Sequence, residues 1–342
     1  MMRIGDLVID GIEELTGLVK GRNIMIEAPI GLINAAIELS RLLSERHSVG
    51  EVIVSGRNAW GVCDLATPPP GFDLVHIGHA LPRNVELLMR INGFTTEKGK
   101  ITVINGKGFK TYVLPAYYIP NEDVVNSLSL RLSGYEGSML LYPLLYKLYA
   151  ESLARKIHGT AIGPFTGCFM PVKADRIIVV SGGYFYALTA KLINPGSRVL
   201  VADPHRLVVE DVEPVYRRRY LGLKVNALMK AIEARRVAIV LTSKPGQGNI
   251  RHALDVKRRL MESGREAFIV YVDDATPDTL NSINADAIVV EACPRIALDD
   301  LDRVGKPLIA PLEVEYVIKG DINGYRISTT TIIPLTGIKG SH

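Results

Sequence analysis

The stretch DAIVVEACPRIALDD, residues 286–300, runs from an unbroken apolar segment straight into a cysteine, a proline, an arginine and two aspartates. Ala287 to Val290 shows no polar alternation. As a strand it is therefore buried on both faces, the pattern of a parallel sheet. Similar runs recur as EVIVSG (51–56), FDLVHIGH (72–79), RIIVVSGG (176–183), RVLVADP (198–204) and VAIVLTS (237–243). Helical patterns lie between them, at 30–47, 139–157 and 250–264, and the basic segment 217–236 also reads as helix. Strand and helix alternate along the chain, which sets an α/β fold class with parallel sheets. Open sheets of this kind bind ligands outside the carboxyl ends of their strands. Cys293 stands at such an end.

Composition narrows the function. The chain has 342 residues, 47% of them hydrophobic, enough for a large core and more than one domain. The 22% charged residues are mixed in sign and the net charge is +4, so no nucleic-acid-binding tail is expected. No leader pattern opens the chain and no apolar run reaches membrane-spanning length, so the expectation is a cytoplasmic protein without a membrane partner. A single glutamine, Gln247, fits a heat-adapted source.

Spacing of the strand and helix patterns suggests three units of similar size, 1–105, 106–220 and 221–335, with a tail at 336–342. The stretch INGKGFKTYVLP (104–115) reads as the first junction. Each unit carries one of the three cysteines: Cys63 in WGVCDLATPPP (60–70), Cys168 in AIGPFTGCFMP (161–171), and Cys293. Each thiol alone serves equally well as a small buried hydrophobe. One thiol per unit is harder to ascribe to packing. Soft thiolates select zinc, copper(I) or iron–sulfur clusters. No CxxC pair is present, which argues against a structural zinc site. A four-iron cluster on three cysteines leaves one iron open and matches the count.

Other motifs are weaker. No GxxxxGK[ST] or GxGxxG fingerprint occurs. Gly182 and Gly183 in SGGYFYAL (181–188) allow close approach of a ligand, though a strand-to-helix turn needs them too. TSKPGQGN (242–249) places Ser243, Lys244, Gly246 and Gln247 after a buried strand and reads as a ligand loop. His76 and His79, three apart on a strand, are expected on opposite faces in core or supporting roles.

Taken together, EACPRIALDD, TSKPGQ, SGGYFYAL, VADP (201–204), RRRY (217–220), WGVCDLA and VHIGHALP resemble the archaeal diphthamide-synthesis enzyme family, from about residue 28 to residue 317. The resemblance implies three related α/β domains around a central [4Fe-4S] cluster, with Cys63, Cys168 and Cys293 as its ligands and no further catalytic side chain. It implies a homodimeric transferase, using S-adenosylmethionine as cosubstrate in a non-classical radical reaction. The 3-amino-3-carboxypropyl group passes to a histidine of translation elongation factor 2, and methylthioadenosine leaves. Gln247 and Arg295 match cosubstrate-binding motifs, with Ser243, Lys244, Gly182 and Gly183 as further candidates. A guanidinium two residues past a cluster cysteine suits a carboxylate, which it grips with two parallel hydrogen bonds. Its alternative is a local pair with Asp299 or Asp300. The first motif departs from the family's tyrosine–glycine–alanine–cysteine–aspartate run at Trp60 and Val62. Two other readings remain: a quinolinate synthase-like cluster dehydratase, and a non-catalytic electron-relay subunit.

Overall fold

Fourteen short strands, in chain order, lie between Met2 and Asp211. They are β1 (Met2–Ile4), β2 (Leu7–Ile9), β3 (Asn23–Glu27), β4 (Val52–Val54), β5 (Phe72–Ile77), β6 (Thr95–Lys98) and β7 (Thr102–Gly106), followed by β8 (Phe109–Leu114), β9 (Ala116–Tyr118), β10 (Met139–Leu141), β11 (Thr160–Ile162), β12 (Arg176–Val180), β13 (Arg198–Asp203) and β14 (Val208–Asp211). This computed structural model describes residues 1–46, 49–106, 108–168, 170 and 172–327. The chain divides into two units. Unit 1 takes Met1–Thr166, Ala174–Ala187 and Arg198–Asp211; unit 2 takes Gly167–Lys173, Leu188–Ser197 and the chain from Val212.

Unit 1 holds a small antiparallel sheet of order β1-β2-β9, a six-stranded sheet of order β4-β3-β5-β8-β7-β6, and a five-stranded sheet of order β11-β10-β12-β13-β14. The interior strands of both larger sheets are parallel, as their apolar runs require. The sheets are nevertheless mixed: β6 and β7 run antiparallel along one edge, and β14 along another. A half-exposed edge strand alternates polar and apolar residues and closes by a tight turn, which favours antiparallel pairing. Within the stretch 104–115, Ile104–Gly106 ends β7 and Phe109–Leu114 is β8, paired antiparallel, with Thr102 opposite Val113 and Gly106 opposite Phe109. Met139–Leu141, expected as the start of a helix, is β10. Pro143 disfavours helical geometry just before it, and the helix waits until Lys147–Lys156. The helix expected at 30–47 opens with a 3₁₀ turn at Ile30–Leu32 and continues as Ile33–Arg46; His47 lies outside the described residues, as does the tail 336–342.

Unit 2 holds a wholly parallel sheet of β15 (Arg236–Thr242), β16 (Glu266–Val272), β17 (Ala287–Glu291) and β18 (Leu308–Ile309), in the order β16-β15-β17-β18. Val237, Ile239 and Leu241 point to one face, against Leu228, Ala253, Val256, Leu260 and Val314. Ala238 and Val240 point to the other, against Leu280, Ala297 and Val304. Full burial of each valine or isoleucine contributes about 1.5–3 kcal/mol. Both faces being apolar explains why these strands read as continuous runs. The basic segment 217–236 forms a π-helical turn at Tyr216–Leu221 and then the helix Gly222–Ile232. Among the described residues no helix is long and apolar enough to cross a membrane.

Candidate functional site

The buried strand β17 delivers Glu291 at its carboxyl end, and Cys293, Pro294 and Arg295 follow in a turn that winds into the short helix Ile296–Asp299. Arg295 is 4% exposed. Its Nε donates to Asp299 Oδ2 at 2.7 Å and its Nη2 to Asp299 Oδ1 at 3.0 Å, a two-pronged pair of the strong, charge-assisted kind. Nη2 also reaches the Tyr220 hydroxyl at 3.3 Å, and that hydroxyl donates to Asp299. Tyr220 is the last residue of the RRRY motif and sits in the π-helical turn.

The remaining arm of the guanidinium reaches a second cysteine segment. Nη1 of Arg295 donates to Thr189 Oγ1 at 2.6 Å, and the Thr189 hydroxyl donates to the carbonyl of Gly167 at 2.7 Å. Gly167 precedes Cys168. One buried side chain thus spans the turn after Cys293 and the turn before Cys168, 106 residues from Thr189 to Arg295 along the chain. The two thiols feel each other: Cys293 is pushed up to about 12, by burial first and then by the charge of Cys168, with Arg295 pulling the other way. On the far side of the Cys293 helix, the fully buried Lys224 donates to the carbonyls of Ala297 (3.1 Å) and Leu308 (2.9 Å) and pairs with buried Glu313 at 2.6 Å. Thr189 and Lys224 carry no local motif and were not singled out from the sequence.

The KPGQ loop follows β15, whose last residues pair in parallel with the end of β17. Ser243 donates to Asp273 at 2.8 Å, and Lys244 pairs with Asp274 at 3.0 Å. Both are thereby committed to shaping the loop. Gln247 is partly exposed, and its N–H closes a turn onto the Lys244 carbonyl at 3.2 Å. Gly248 must be glycine: a Cβ there would lie 2.7 Å from the Thr242 carbonyl and 3.3 Å from that of Glu291. Asn249 then caps the helix Ile250–Glu262 by accepting from the N–H groups of Arg251 and His252.

In unit 1, Gly182 and Gly183 lie past the carboxyl end of β12. A Cβ at Gly182 would meet the Tyr146 hydroxyl at 2.6 Å, and Gly183 has a φ of +67°. The Gly183 N–H donates to buried Asp203 at 2.8 Å, so a carboxylate from β13 already fixes this turn. Cys63 occupies the 3₁₀ turn Val62–Asp64. That turn is clamped by Arg57, which donates to Asp64 and, at 2.8 Å, to the buried carboxylate of Glu27. Glu27 also accepts from the Ala66 N–H at 3.1 Å and pairs with His76 Nδ1 at 3.0 Å. His76 Nε2 and His79 Nδ1 are 3.0 Å apart with their rings stacked. The two imidazoles were expected on opposite faces. They meet because the strand ends at Ile77 and Gly78, at a φ of +91°, turns the chain back. Burial, then the neighbouring His76, pulls His79 down to about 3.

Among the described residues no group of three or more His, Cys, Asp or Glu side chains stands ready to hold a metal ion. The structure couples Cys168 with Cys293 and clamps Cys63 in its own turn; the gathering of all three belongs to the proposal below. As donors, two thiols on pinned backbones fit a soft, positively charged iron–sulfur group better than a hard cation.

Sheets with parallel interiors, and turns carrying Cys168 and Cys293 tied by buried Arg295, place the chain among α/β proteins with a built site after their strands. The family described as "Putative diphthamide synthesis protein" matches residues 109–326, and the chain belongs to it: it is a transferase of diphthamide biosynthesis. The matched span contains Cys168 and Cys293. Over 318 residues the chain is 26% identical to a 2-(3-amino-3-carboxypropyl)histidine synthase of Pyrococcus horikoshii, covering 87% of this chain and 86% of the relative. It is 24% identical to the enzyme of that name from Methanocaldococcus jannaschii, covering 90% and 88%. A crystal structure of Dph2 from Pyrococcus horikoshii with a 4Fe-4S cluster shares the fold, with a TM-score of 0.70, 21% identity, and coverage of 91% of this chain and 92% of that one.

Proposed function

We propose that this chain transfers the 3-amino-3-carboxypropyl group of S-adenosylmethionine to a histidine of translation elongation factor 2, with Cys63, Cys168 and Cys293 holding a [4Fe-4S] cluster. When bound, the cluster supplies the electron that cleaves the sulfonium and releases methylthioadenosine. The observation that supports the reading most directly is the Arg295 frame. It holds the backbones around Cys168 and Cys293 at once, as a site needing both thiols in register requires. Three sheets, each with one cysteine in the chain after a parallel strand, and the names of the archaeal relatives point the same way.

The residues divide the work. Gln247 offers an amide to the cosubstrate from a loop whose shape Ser243 and Lys244 maintain through Asp273 and Asp274. Gly182 and Gly183 offer backbone at a turn where a side chain at 182 would press on the Tyr146 hydroxyl and one at 183 would be strained by its positive φ. Arg295 can grip the methionine carboxylate only by releasing Asp299, so its first part is to position the two cysteine turns. The working form in this reading is a cytoplasmic homodimer.

The test is anaerobic reconstitution with iron and sulfide, reduction, and incubation with S-adenosylmethionine and the elongation factor. Methylthioadenosine and a modified histidine are the expected products. A dehydration product without cosubstrate cleavage would indicate quinolinate synthase-like chemistry, and electron transfer without either product a relay subunit.

A further inference from the structure

Glu291 ends β17 with its side chain buried, and its Oε2 lies 2.8 Å from Nδ1 of His252. His252 is the third residue of the helix Ile250–Glu262, with its N–H capped by Asn249 and its ring half-buried. The absence of a side chain at Gly248 lets this helix start close against the carbonyls of Thr242 and Glu291. A carboxylate accepts hydrogen bonds only, so it fixes the proton of the neutral ring on Nδ1. Nε2 is left with a bare lone pair on a ring that is partly exposed. In the chain His252 follows Gln247 by five residues and Glu291 precedes Cys293 by two, and the loop and the strand end meet where a Cβ at Gly248 would lie 3.3 Å from the Glu291 carbonyl.

The relatives' product name puts the new group on carbon 2 of an imidazole. There a C–H bond gives way to a C–C bond. One electron cleaves the sulfonium C–S bond to thioether and carbon radical, the radical forms the C–C bond at the ring, and the ring then gives up one electron and one proton, so the sum involves no net oxidation or reduction. A base near the acceptor ring must take that proton. We infer that His252, oriented by Glu291, is the group that accepts it at Nε2; the inference rests on the transfer reaction proposed above. The surroundings suit the task. The Glu291 hydrogen bond raises His252 above its ordinary value, burial opposes it, and on the same helix Asp255 adds to the rise while Arg259 subtracts. The plain alternative is an ion pair that only ties helix to strand.

The two readings separate when both products are counted in one reaction. Full-length chain, reconstituted as above, is given S-adenosylmethionine, reductant and elongation factor 2, and methylthioadenosine is measured beside modified histidine. Wild type yielding neither product would refute the transfer reading itself. With the products present, His252→Asn should lower modified histidine by about 100-fold, the usual contribution of a positioned base, while methylthioadenosine falls less. The ratio of the two then rises at least about tenfold, and Glu291→Gln moves it the same way. Added imidazole should restore transfer to His252→Gly. A wild-type ratio in both variants would overturn the assignment. Should the variants not fold, nitrogen-15 spectra of the cluster-free wild-type chain decide: a neutral His252 protonated on Nδ1 supports the inference, and one protonated on Nε2 overturns it.

Discussion

Removing Arg295 tests the frame on which the proposed site stands. In Arg295→Ala the two-pronged pair with Asp299 and the bonds to Thr189 and Tyr220 go together. Breaking a buried pair from one side costs about 3–5 kcal/mol, chiefly because the remaining charge is left unmatched. The Asp299 side chain is 28% exposed and keeps the Tyr220 hydroxyl, so the lower end applies, about 3 kcal/mol. Urea unfolding followed by circular dichroism should show this loss. Replacing both charges, in Arg295→Met with Asp299→Asn, should recover at least about half of it, since no unmatched carboxylate remains. The functional consequence follows from Thr189. Once the arginine is gone, the Gly167 carbonyl loses the braced hydroxyl that fixed it, and the Cys168 turn is free to drift from the Cys293 turn. Iron bound after reconstitution should therefore fall along with cosubstrate cleavage. A variant with wild-type iron content and stability that fails only in S-adenosylmethionine affinity would refute this reasoning and return Arg295 to a direct grip on the carboxylate.

Single replacement of Cys63, Cys168 or Cys293 by alanine should lower bound iron and abolish transfer, since three ligands leave no spare; iron counting and visible absorbance check this. Gly248→Ala should destabilise by about 1–3 kcal/mol in urea titrations, because its Cβ would press on two backbone carbonyls that cannot rotate away. His79 is held near 3 against an ordinary 6.5, so the folded chain stays neutral there while the unfolded chain takes up a proton. Its contribution is present in full above about 6.5 and is lost as pH falls toward 3, at up to about 1.4 kcal/mol per pH unit. Unfolding free energies measured across that range should steepen in wild type and flatten in His79→Asn.

Local pattern carried much of this. Runs such as RIIVV and AIVVE have no alternation, and only a sheet covered on both faces buries every residue of such a strand, so the parallel interiors could be read directly. Short or half-exposed strands could not. Met139–Leu141 borrows its appearance from the helix that follows, and the hairpin of β7 and β8 looks like a linker because glycine and lysine crowd its turn end. The imidazole pair escaped for a related reason: alternation holds only inside a strand, and Gly78 ends it.

By itself, then, the sequence determined where the long buried strands run and that Cys293 stands at the end of one, because burial periodicity and turn residues are local properties of the chain. What Arg295 touches was decided only by tertiary structure. The sequence offered Asp299, four residues on and within reach of a helical turn, and the fold supplied that pair. Thr189 and Tyr220 lie 106 and 75 residues away. The same holds for Lys224 with Glu313 and for His252 with Glu291. Such partners are chosen by which helix packs on which strand end. A buried charge must find whatever donor or acceptor that packing brings within about 3 Å, and no spacing along the chain records the choice.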